Sequence, residues 1–187
     1  MLHNRSEQAI EFSTKWVVIA GFIIFLAFSI LFLPGQTGMV ETYSTSLGSP
    51  DTSLFYTPAD LYRMAEAYGT ERRAAYIKAR LTFDIAFPIV YAFFLITSIS
   101  WLESRVLMEG NEFRIGNMLP LLAMLFDLLE NACTAFVFSS YPTYSPFLSM
   151  LAPFFTLMKW ICVGSSFIFL IIMIVWYLLH RSHGKVK

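Results

Sequence analysis

Charge is scarce in this chain: Asp, Glu, Lys and Arg make up 14% of its 187 residues, divided equally into 13 basic and 13 acidic side chains. A net charge of zero removes the long positive field that holds a nucleic-acid backbone, so nucleic acid is not an expected partner. Cysteine is nearly absent. Cys133 and Cys162 both lie in apolar stretches, which excludes a disulfide-stapled ectodomain and a CxxC zinc or redox site. No histidine falls within the four crossings assigned below, which argues against haem, di-iron and His-based zinc centres. There is no G-x-S-x-G, H-E-x-x-H or P-loop pattern, so standard hydrolase, zincin and nucleotide chemistry have no support. No internal repeat is found, and four helices without one offer little for alternating access.

What the chain has in abundance is apolar surface. Apolar residues reach 57%, with 19 Phe, and the mean hydropathy is +0.61. That composition predicts an all-α fold, an integral membrane four-helix bundle in a single domain, with crossings at 16–33, 81–102, 118–138 and 150–178. The first run, from Trp16 to Leu33, is uncharged. Mixed charges before it, and no A-x-A-like site before Pro34 and Gly35, favour an uncleaved helix over a signal peptide. The last run, about Ser149 to His180, exceeds what a bilayer needs and should tilt, kink at Pro153 or project. An even number of crossings puts both termini on one side with the 103–116 loop. The Lys/Arg bias then predicts a multi-pass protein of the cell membrane with both termini cytoplasmic. Trp16, Trp101, Trp176 and Tyr177 would anchor the inner interface, and Tyr141, Tyr144 and Phe147 the outer one.

The outer loop, 34–80, begins with a Ser/Thr/Gly-rich stretch, Gln36 to Ser53, expected to be irregular. Beyond it, Thr57-Pro58-Ala59-Asp60 combines an N-cap, a proline at the first helical position and a first-turn carboxylate. Leu61, Met64, Ala65 and Tyr68 then give one apolar face, and Gly69 stands where a C-terminal cap belongs. Such a helix could form a lid over the bundle or rest on the headgroups. Thr70 restarts a helix that can run into the second crossing.

Ionisable groups inside a crossing cost several kcal/mol unless paired, hydrated or neutralised, which makes them the natural place to look for function. Four stand out: Asp84, Asp127, Glu130 and Lys159. At about 1.5 Å per residue, Asp84 lies about three residues below the outer boundary, Glu130 about eight and Asp127 about eleven. Asp127, Glu130, Asn131 and Thr134 share one helix face; Asp84, Pro88 and Tyr91 share another; Lys159, Val163 and Ser166 share a third, with Cys162 on its flank. These stripes should turn toward a common interior. Three carboxylates against one ammonium leave an acidic surplus, which predicts a polar pocket in the outer half. Asp84, Asp127 and Glu130 would supply negative charge there, Lys159 would balance part of it, and Tyr91 and Asn131 would orient a ligand. The expected occupant is a lipid-like or cationic small molecule.

Two alternatives use the same residues: a membrane enzyme with a carboxylate as general acid and base, and an accessory subunit whose polar residues join helices, in contact with membrane lipids and a protein partner or second copy. No cofactor is expected. A magnesium or calcium ion at Asp127, Glu130 and Asp84 is a weaker reading, because D-x-x-E-N is short and common. His180 and His183 are expected in a solvated basic tail.

The segments YIKARLTFDIAFPIVY (76–91), with D-x3-P, and LPLLAMLFDLLENA (119–132), with D-x2-E-N, resemble the second and third crossings of a widespread group of four-helix bacterial integral membrane proteins. The likeness covers about half the chain. It implies a four-helix bundle and carries no activity. The layout of intramembrane acids is similar to that of the sterol-isomerase and sigma-receptor type of bundle, which holds amphipathic amines and sterols, but no motif is shared. The chain departs from four-helix junction proteins, whose first outer loop carries paired cysteines.

Overall fold

The computed structural model describes residues 2–32, 49–50 and 53–182. Most of the 36–53 stretch, the end of the first apolar run at Leu33, and His183 lie outside the described residues. Among the described residues, six α-helices and one 3-10 segment follow in order: α1 (Leu2–Phe12), α2 (Lys15–Leu31), α3 (Pro58–Arg80), α4 (Phe83–Val106), the 3-10 segment Glu112–Met118, α5 (Leu119–Ser140) and α6 (Pro146–Ser182). Among the described residues there is no strand. Among the described residues, three stretches, Pro58–Val106, Glu112–Ser140 and Pro146–Ser182, are long and apolar enough to cross a membrane. A fourth crossing follows if α1 and α2, which meet at a 91° bend, count as one span.

Burial is inverted relative to a water-soluble protein. Ile23, Ile30, Leu125, Ile168, Ile171 and Leu178 are exposed, whereas Ser100, Glu103, Asn117, Glu130, Thr134 and Ser166 are fully buried. Polar groups turned inward and large apolar side chains turned outward are the arrangement that hydrocarbon favours, because lipid offers polar groups no hydrogen bonds.

The chain folds as two compact units. The first comprises residues 1–27, 90–123 and 161–187. Here α2 runs beside α4, with Phe25 stacked on Phe94 at 4.9 Å between ring centroids. Gly21, the one buried residue of α2, lets the two backbones approach: a Cβ there would stand 3.2 Å from the Phe93 ring and 3.3 Å from Thr97 Oγ1. Trp101 and Tyr177, two of the expected anchors, pair at 5.5 Å. His180 is part of α6 rather than of a loose tail. It accepts from Trp176 Nε1 at 3.0 Å, and its Nδ1 lies 3.0 Å from the Trp176 carbonyl. With Nε2 accepting from the indole, Nδ1 is the ring nitrogen placed to donate to the carbonyl.

The second unit comprises residues 28–89 and 124–160. α3 opens with a closed capping box: the Asp60 N–H donates to Thr57 Oγ1 at 3.2 Å, and the Thr57 N–H donates to Asp60 Oδ2 at 2.9 Å. These bonds from Thr57, with Arg63 beside them, hold the Asp60 carboxyl down at about 2. A depressed carboxylate contributes fully above its ordinary 3.8 and loses that contribution as pH falls through about 2. Thr57→Ala should therefore cost about 1 kcal/mol at neutral pH and faster hydrogen exchange over 58–62, and the penalty should shrink below pH 3 as the box opens in the parent chain too. A penalty unchanged at pH 2 would show that Asp60 does not close the box.

At Gly69 the backbone turns to φ 67°, ψ 174°, and α3 kinks there. The break leaves carbonyls of the preceding turn without helical donors, and Arg73 Nη1 supplies one to the Ala65 carbonyl at 2.9 Å. The apolar face predicted for this helix packs on the protein itself. Leu61, Met64, Ala65 and Tyr68 share one core with Cys133, Val137 and Phe138 of α5 and Ala152 of α6. Phe138 stacks on Tyr76 at 4.3 Å and meets Tyr68 edge-on at 5.4 Å. The Ser145 N–H donates to Tyr62 Oη at 2.6 Å, and Tyr56 and Thr156 share a hydroxyl bond at 3.0 Å. This geometry fits a cover over α5 and α6, with the apolar face used up by protein rather than by headgroups.

Candidate functional site

The second unit gathers five of the six residues expected to form the site, from three helices. Asp84 stands in the first turn of α4, Asp127, Glu130 and Asn131 on one face of α5, and Lys159 on α6. Lys159 Nζ lies 2.5 Å from Glu130 Oε2 and 3.5 Å from Asp127 Oδ1. Asn131 Nδ2 donates to the Asp84 carbonyl at 2.8 Å and to Asp127 Oδ1 at 3.3 Å. Tyr91, the sixth, is buried in the first unit.

A seventh residue was missed. Arg80, read from the sequence as an outer-loop charge, is buried at the end of α3. Its Nη1 donates to Asn131 Oδ1 at 2.7 Å and its Nε lies 3.3 Å from Asp84 Oδ2. Its guanidinium covers the Tyr76 ring at 4.6 Å. The spacing of Tyr76, Arg80 and Asp84, at i, i+4 and i+8, was the available signal. It was passed over because Arg80 was placed just outside the second crossing, with the charges of the outer segment. The correction changes the charge arithmetic: the three carboxylates face two cations rather than one, so the acidic surplus falls to a single charge.

Asn131 organises the set. Its Oδ1 is committed to Arg80 and its Nδ2 to α4 and Asp127, which fixes the amide orientation and ties α3, α4 and α5 together. Lys159 then joins α6 to α5. Glu130 is fully buried, and its Oε1 accepts no hydrogen bond among the described residues. Asp84 and Asp127 keep more access, with side chains 20% and 13% exposed. The cluster is therefore closed around Glu130 and more open along Asp84 and Asp127. Among the described residues no three His, Cys, Asp or Glu side chains are grouped to hold a metal ion. The divalent-cation reading gains no support, and Lys159 already stands between the two α5 carboxylates. Both cysteines are free.

The fold and the cluster together describe an all-helical protein with three to four helices long and apolar enough to span a membrane, and with buried charge inside the helical packing. Searches for similar proteins found no matching family model, curated protein or solved structure, so the resemblance drawn from segments 76–91 and 119–132 gains no support from them.

Proposed function

We propose that the chain is a multi-pass membrane protein whose acidic cluster binds a lipid-like or cationic small molecule. The observation that carries this reading is the cluster's net acidic balance, with three carboxylates beside Arg80 and Lys159. Arg80 and Lys159 offset two of three acids, and the two acids with side-chain exposure, Asp84 and Asp127, are where an incoming ammonium can reach. Holding net negative charge among apolar helices is costly, so a cationic headgroup has a free-energy reason to enter. Asn131 and Lys159 hold the acids in place, and the amphiphile's tail would lie along the apolar faces of the same helices.

The test is thermal unfolding of the protein in lipid nanodiscs with N,N-dimethyldodecylamine against 1-dodecanol. The amine should protect and the alcohol should not, with stabilisation of about 2.7 kcal/mol at a hundredfold excess over Kd. Asp84→Asn and Asp127→Asn should each weaken the protection. Equal effects of amine and alcohol would defeat this reading. They would leave the second one, in which the cluster is a joint between helices. That reading draws on Arg80, Asn131 and Lys159 each bridging two helices.

A further inference from the structure

The first unit contains a second buried polar cluster, built where α1 meets the 3-10 segment. Ser6 Oγ donates to the Arg114 carbonyl at 2.5 Å, and Arg114 Nη2 lies 3.0 Å from Glu7 Oε2. Asn117 Nδ2 donates to the Ser6 carbonyl at 3.1 Å and to Ser100 Oγ at 2.9 Å. One turn beyond Ser100, on the same face of α4, stands Glu103. It is fully buried, and neither carboxylate oxygen accepts a hydrogen bond of ordinary geometry among the described residues, although the Asn117 N–H and Arg114 face it.

Two counts define what is missing. By charge, Arg114 faces both Glu7 and Glu103; Glu7 is 31% exposed, with His3 Nε2 at 3.9 Å, so the negative charge left in excess falls on Glu103, which has no access to water. By hydrogen bonding, the unpartnered atoms of the cluster are mostly acceptors: both oxygens of Glu103 and Asn117 Oδ1, against Arg114 Nε as the donor. The Asn117 amide cannot be turned over to help, because its NH2 end is committed to the Ser6 carbonyl. Water would supply donors but no charge. A proton on Glu103 would supply the charge but satisfy few of the acceptors. A small monovalent cation supplies both, since carboxylate, amide and hydroxyl oxygens are its preferred ligands.

We propose that Glu103, with Asn117 Oδ1 and Ser100 Oγ, forms a binding site for a small monovalent cation that secures the 3-10 segment against α4, beside the contacts that Ser6 and Glu7 of α1 make with the same segment. A divalent ion would overshoot the single surplus charge and meet the Arg114 guanidinium nearby. The ion thereby links α4 to the 3-10 segment that follows it, independently of the amine site in the second unit.

The experiment replaces sodium chloride with choline chloride at constant ionic strength and follows thermal unfolding of the full chain. Sodium should raise the Tm saturably. Because the ion competes with a proton for the carboxylate, half-saturation should need about tenfold more sodium per pH unit once Glu103 becomes protonated. Glu103→Gln should abolish the sodium response. If that variant does not fold, Ser100→Ala should fold and need several-fold more sodium. A Tm that depends on pH but is equal in sodium and choline would make Glu103 a proton site and overturn the proposal, as would a full sodium response in Glu103→Gln.

Discussion

Lys159→Met is expected to cost about 3–5 kcal/mol, the largest loss of any single substitution in the second unit, because it leaves buried carboxylates without their cation. The ammonium lies 2.5 Å from Glu130 Oε2 and 3.5 Å from Asp127 Oδ1, whereas the Arg80 guanidinium is bonded to Asn131 and Asp84 and acts on Glu130 more weakly than Lys159 does. Glu130→Gln should cost much less, since Lys159 keeps Asp127. The double variant should recover part of the loss, with a coupling of about 1–3 kcal/mol between the two positions. Thermal or denaturant unfolding in nanodiscs provides the measurement. If Lys159→Met unfolds within 1 kcal/mol of the parent, the carboxylates are compensated by something other than Lys159, and the charge count behind the proposed site is wrong.

Phe138→Ala should be nearly as damaging, at about 3–5 kcal/mol, by a different cause. Phe138 is buried between Tyr68 and Tyr76, the residues on either side of the Gly69 kink, so its ring holds both segments of α3 to α5. Truncation leaves a cavity that these two tyrosines cannot fill without moving α3. Hydrogen exchange should therefore rise selectively over 58–76, while Phe138→Leu retains most of the protection. Uniform acceleration across the chain would mean that α3 is not a separately held cover. Since Arg80 ends the same helix, loosening α3 should also weaken the amine protection described above.

Much of this molecule was legible from the sequence, and the reasons are local. Long uncharged runs specify helices able to cross a membrane because apolar length has few other uses. Thr57, Pro58, Asp60 and Gly69 encode their own cap, start and break through backbone geometry that depends on immediate neighbours. The α5 face carrying Asp127, Glu130 and Asn131 followed from helical period alone. Arg80 was not legible in the same way. Its role depends on Asn131, fifty-one positions along the chain, and the spacing with Tyr76 and Asp84 puts Arg80 on their helix face without saying whether that face turns inward. The cluster at Glu103 escaped for the same reason: Ser6, Arg114 and Asn117 come together only when α1 folds against the 3-10 segment, and residues 103–116, read as a loop, end one helix and begin another.

Sequence by itself determined the solvent this protein is suited to and the helical class of its fold, because hydrophobic burial and helix capping are summed over neighbouring residues. Tertiary structure alone decided which charges are paired. Pairing depends on distances of a few ångström between side chains far apart in the chain, and in a low-dielectric interior those distances determine whether a carboxylate is a joint, a ligand site or an unmatched charge.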